Sequence, residues 1–185
     1  MNIIQELTEK YSGKYSEDLN KSVNSPIGKY TFQPKSGIIE VDGTKISISL
    51  NEVGGANPAT EPFRMTLYLD KAYETQLTIF PKTFWNKILD ALLPKRNEFI
   101  PKPIRKQFWF NGHKELLNAL VSDKIFTDNI LNERVYIKTV KKPTHRIVLT
   151  PEFGIRDIDQ FEKFVSILKR IENKIKSAHK LVSPN

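Results

Sequence analysis

The chain has 185 residues, a formal net charge of +8 and no cysteine. That length suits one domain whose core can form without covalent staples, and the missing thiols exclude disulfides, thiolate nucleophiles and cysteine metal ligands. Residues 1–62 carry a slight acidic excess, so the positive charge is concentrated in residues 63–185.

Met1–Leu7 lacks the basic stretch and apolar run of a secretory signal. No apolar run approaches the ~20 residues of a transmembrane helix. A cytoplasmic protein without a transmembrane segment is expected. Apolar residues at 3, 4, 7 and 11 share one helical face, which predicts a helix over 2–12. Residues 13–36 are polar and broken by Gly13, Pro26, Gly28 and Pro34, and read as an extended loop region. The period then changes to two. Ile38–Val41 and Lys45–Leu50 flank Asp42-Gly43, a pairing that suits a type I′ hairpin turn. Ile46, Ile48 and Leu50 alternate with Lys45, Ser47 and Ser49, so one face is buried and the other wet.

Residues 53–62 read as a flexible loop. Phe63–Leu69 and Thr75–Phe80 follow as a second strand pair, and Thr83 caps a helix through Leu93. Residues 95–106 form a basic, proline-interrupted connection, Gln107–Phe110 a short strand and His113–Ser122 a helix. Arg134–Val140 and Thr144–Thr150 form a third hairpin, with Lys138 and Arg146 expected as cross-strand neighbours on its solvent face. Asp157 or Asp159 caps a helix over 157–182. Phe63–Leu93 and Arg134–Leu168 share the order strand, strand, proline, helix. That order is either a ββα pseudo-repeat or two instances of a common unit.

The fold class that follows is α+β. A single domain over 1–185 holds an antiparallel sheet of six or seven strands in hairpins. Three or four helices pack mainly on one face, and the last of them is long.

Chemistry is harder to find. There is no Gly-x-x-x-x-Gly-Lys-Ser/Thr and no Gly-x-Gly-x-x-Gly, so no phosphate cradle is expected. His113, His145 and His179 have no helical ligand spacing, and no metal or other cofactor is expected. Glu152, Asp157 and Asp159 precede the last helix, where acidic residues compensate the helix dipole. No catalytic residue is singled out. Two features remain. Lys95, Arg96, Lys102, Arg105 and Lys106 lie just before Trp109, and cations beside an aromatic ring are the ingredients of a single-strand nucleic-acid surface. Leu168, Ile171 and Ile175 belong to a heptad-type seam on the last helix. The seam either docks on the sheet or carries projecting last turns to a second copy or a protein partner.

Of the functions compatible with these residues, a non-catalytic module for protein binding or self-association ranks first. Nucleic-acid binding through segment 95–106 ranks second, and an enzyme without a recognisable motif third.

Overall fold

In the computed structural model, which describes residues 3–25, 28–53, 63–82, 99–140 and 143–182, the Asp42-Gly43 hairpin organises one end of the sheet. Both turn residues have positive φ, 48° and 71°, as a type I′ turn requires. Strands β3 (Gly28–Val41) and β4 (Thr44–Val53) leave it antiparallel and stay in register out to Phe32 and Val53. Ahead of them lie α1 (Ile3–Lys10), β1 (Lys14–Glu17) and β2 (Lys21–Ser25). After them come β5 (Phe63–Tyr73), β6 (Leu77–Pro81), α2 (Lys102–Gln107), β7 (Phe108–Gly112), α3 (Lys114–Val121) and α4 (Lys124–Ile130). The hairpin β8 (Val135–Val140) and β9 (Thr144–Pro151) and the helix α5 (Ile158–Val182) complete the described elements.

All the described strands join one antiparallel sheet in the order β1-β3-β4-β5-β9-β8-β6-β7, with β2 paired to the other end of β3. The α+β class, the antiparallel sheet and the long last helix agree with the sequence expectation. The sheet is larger than expected, with nine strands, and five helices are described.

Residues 13–36, expected as a loop, hold β1, β2 and the first part of β3. These strands form the polar edge of the sheet, so they carry no two-residue apolar period to give them away. β1 and β2 lie one after the other along β3, pairing with Lys35–Ile38 and Gly28–Phe32 respectively. Pro34 is tolerated because it falls between the stretches of β3 paired with β1 and with β2, where no ladder bond needs its missing N–H and its carbonyl takes the Asp18 N–H at 2.9 Å.

The expected pairing of the strands in 63–80 is also corrected. β5 pairs with β4 and β9, β6 pairs with β7 and β8, and the β8–β9 hairpin fills the gap between them. Short connections usually join adjacent strands, and this one does not. Three strand spacings are roughly 14 Å, close to the full reach of the extended chain from Tyr73 to Leu77. Hydrogen bonds carry the segment across the hairpin end: Thr144 Oγ1 donates to the Thr75 carbonyl (2.7 Å), and the Leu77 N–H donates to Thr139 Oγ1 (3.0 Å). The two ββα units therefore differ in strand pairing. The helix expected over 83–93 and most of the loop 53–62 lie outside the described residues, although Val53 itself ends β4.

Segment 95–106 is corrected in part. Residues 102–107 form α2, because Pro103 falls in the first turn, where its missing N–H is harmless. α4 has no counterpart in the sequence expectation. Asp123 caps it, accepting the Phe126 N–H at 3.1 Å. The cap expected at the last helix is present, as Asp157 Oδ1 accepts the Gln160 N–H at 2.7 Å.

The core is one cluster on one side of the sheet. Gly37, Ile48, Met65, Leu149, Ile137, Ile79 and Phe110 are successive neighbours across the strands and face the helices. α1 packs on β1, β3 and β4, α5 packs on β5 and β9, and α3 and α4 pack against α5. From α5, Phe161, Phe164, Leu168, Ile171 and Ile175 are buried in that cluster. The seam offered for assembly is thus buried against the chain's own sheet. Its spacing of three and four residues describes any helix with one buried face, whether the partner is another chain or the same one.

Candidate functional site

Because side chains alternate along a strand, the residues between the core positions point to the opposite face. Ile38, Ser47, Thr66, Val148, Lys138, Thr78 and Asn111 are successive neighbours there. Val148 is buried but lies outside the core cluster, as its position on this outer face requires. On one side of this row lie Arg64, Thr150, Tyr136, Phe80 and Trp109, and on the other lie Glu40, Lys45, Tyr68 and Arg146.

Two properties distinguish this face. The first is its rings. Tyr68 and Tyr136 are 37% and 42% exposed. Tyr136 pairs with Thr150, and Thr78 and Ile79 pair with Lys138 and Ile137, which sets Phe80 beside Tyr136. Phe80 pairs with Trp109, their rings stacked at 6.4 Å and 24°. The second is its charge. Lys45, Arg64, Lys138 and Arg146 stand in these rows, with Glu40 the carboxylate among them. Lys45 Nζ lies 5.6 Å from the Tyr68 ring centroid and Lys82 Nζ 4.7 Å from that of Trp109, both within cation–π range.

Beyond the Trp109 end is a cavity of about 150 Å³ lined by Pro81, Lys82, Gln107, Asn132, Glu133 and Arg134. Its polar groups are held by one another or by neighbouring residues. Glu133 is buried, and its carboxylate accepts from Gln160 Nε2 (2.7 Å) and from Arg156 Nη2 (3.5 Å). Arg134 makes a two-point bond to Glu152, which raises its pKa. The Gln107 side chain accepts the Asn132 N–H at 3.0 Å. Glu152 and Asp157, which the sequence read as dipole compensation, are thus an ion-pair partner and a helix cap.

Of the basic residues singled out from sequence, Lys102 and Lys106 are exposed on α2 and Arg105 is half-buried there. Lys95 and Arg96 lie outside the described residues. Trp109 is half-buried on the outer face. Lys138 and Arg146 are not directly opposite each other, since Lys138 faces Val148 and Arg146 faces Val140. Sequence reasoning missed Arg64, Tyr68, Phe80 and Tyr136 as one surface. The alternation of each strand was a usable signal, but the strand order that aligns them was not. Among the described residues no cluster of histidine, aspartate or glutamate could hold a metal ion, and no helix is long and apolar enough to cross a membrane. Neither known protein families, curated proteins nor solved structures contain a match to this chain.

Proposed function

We propose that this protein is a non-catalytic binding module that holds a polyanion on the outer face of its sheet. The observation that carries this reading is the alignment of Lys45, Arg64, Lys138 and Arg146 on one face, where Glu40, opposite Lys45, is the carboxylate among the described residues of those rows. Cations in neighbouring rows sum to a positive field that attracts and orients an anionic polymer. Lys102 and Lys106 are exposed on α2, the element that leads into β7. Protein binding ranked first from sequence through the outer sheet face, segment 95–106 and the last helix, where Leu168, Ile171 and Ile175 were the assembly residues. Those side chains lie in the core and lend that reading no support.

Retention of the full chain on heparin at graded salt tests the proposal. Counterion release predicts a log–log slope of about −3 for four phosphate-like contacts. Arg64→Glu, Lys138→Glu and Arg146→Glu together should abolish retention, with the circular dichroism spectrum unchanged. Retention that survives in that folded variant would overturn the proposal. If Lys102→Glu with Lys106→Glu abolished it instead, the binding surface would be α2 and not the sheet.

A further inference from the structure

The same face carries more than charge. Tyr68 on β5, Val148 on β9, Tyr136 on β8, Phe80 on β6 and Trp109 on β7 follow one line on this face, running diagonally from β5 to β8 and then straight across to β7, with Val148 buried between the two tyrosines. From the strand spacing and rise, Tyr68 and Tyr136 are roughly 17 Å apart. Lys138 and Arg146 flank the stripe on one side and Arg64 on the other. Ser47, Thr66 and Thr150 on the neighbouring positions are short, Tyr68 and Tyr136 are exposed, and Phe80 and Trp109 are half-buried.

A polyanion that is only charged, such as a sulfated sugar, makes no use of exposed rings. A duplex presents its phosphates but keeps its bases stacked inside. A single strand offers both a charged backbone and free aromatic faces, and a line of rings between cations matches that pattern. We infer that the polyanion is a single-stranded nucleic acid, with bases resting on the Tyr68–Tyr136–Phe80 stripe and phosphates held by Arg64, Lys138 and Arg146. This inference rests on the polyanion reading above and narrows it to one ligand class.

Fluorescence anisotropy with a labelled oligodeoxythymidine of about 15 nucleotides, a length within the site sizes of such surfaces, provides the test. A duplex of equal length and heparin serve as competitors. The full chain should prefer the single strand to the duplex by tenfold or more. Tyr136→Ala should weaken single-strand binding roughly tenfold, the scale of one lost base stack. Tyr136→Phe should restore it, and heparin retention should not move in either variant. Equal affinity for single strand, duplex and heparin would overturn this inference and leave the polyanion reading standing. A single-strand preference indifferent to both Tyr136→Ala and Tyr68→Ala would also overturn it, because the stripe would then carry no base. Failure to bind all three ligands would overturn both readings.

Discussion

Glu172 in the last helix and Thr44 at the start of β4 are 128 residues apart in sequence and bonded in the fold. The Thr44 hydroxyl lies 3.1 Å from each carboxylate oxygen and accepts from Lys169 Nζ at 2.6 Å. Lys169 and Lys176 close on the same carboxylate at 2.9 and 2.7 Å. Glu172 is 1% exposed. A carboxylate so buried is tolerated only because three donors surround it. Glu172→Ala should therefore cost on the order of 3 kcal/mol, since it removes the carboxylate that Lys169, Lys176 and the Thr44 hydroxyl share. Thr44→Val should cost about 1 kcal/mol. Urea unfolding of the two single variants and the double should show strong non-additivity, and additive losses would mean that the network is not a unit.

Asp123 ties α4 to α5. Its Oδ1 caps α4, and its Oδ2 lies 3.4 Å from Lys174 Nζ and 3.6 Å from Arg170 Nη1. Burial acts to raise its pKa, but the Phe126 N–H and the two cations outweigh burial and hold it below the usual carboxylate range. The folded value is below the unfolded one. The contribution is thus fully present above about pH 4 and is lost as the pH falls through the folded value. Asp123→Ala should cost about 1 to 2 kcal/mol at neutral pH. Asp123→Asn keeps a cap but loses the charge, so its stability should fall less steeply than that of the parent below pH 4. Identical acid limbs in the two proteins would refute this account.

Gly37 is required by the closeness of α1. A Cβ there would lie 2.4 Å from Thr8 Cγ2 and 3.1 Å from Ile4 Cγ2. Thr8 cannot swing away freely, because its hydroxyl donates to the carbonyls of Ile4 and Gln5 at 3.0 and 2.9 Å. Gly37→Ala should destabilise the chain by about 1 to 3 kcal/mol. Adding Thr8→Ser removes the obstructing methyl and should recover part of the loss in thermal or urea unfolding.

Ile171 separates the two readings of the last helix. Ile171→Ala should cost about 2 to 5 kcal/mol as a buried cavity. Ile171→Asp should abolish the cooperative unfolding transition. A folded monomer produced by Ile171→Asp from a dimeric parent, measured by light scattering, would restore the seam to an assembly role.

These cases show where the sequence was legible. Asp42-Gly43 announces its hairpin because two consecutive positive φ angles suit few other residue pairs, and Ile46, Ile48 and Leu50 show which face is dry. The last helix is equally plain from Phe161 to Ile175. Sequence does not tell which surface a dry face meets, so the seam was open to two readings. It also does not tell which strands become neighbours. Phe80 and Trp109 are 29 positions apart and Phe80 and Tyr136 are 56 apart, yet all three stand side by side. The rings of the outer face could be read one by one but not as a surface. β1 and β2 escaped notice because β1 lends only Tyr15 to the core and neither strand has a run of alternating apolar residues.

The gap between β5 and β6 has a consequence for how the chain is made. The two strands that must sit there leave the ribosome more than fifty residues after β6, so the central sheet has no completed hydrogen-bond ladder until Pro151 has emerged. Folding of this molecule is therefore governed by late, non-local pairing and should be slow for its size. Nascent chains ending before β9 should leave the facing edges of β5 and β6 open to other chains, a ready route to aggregation.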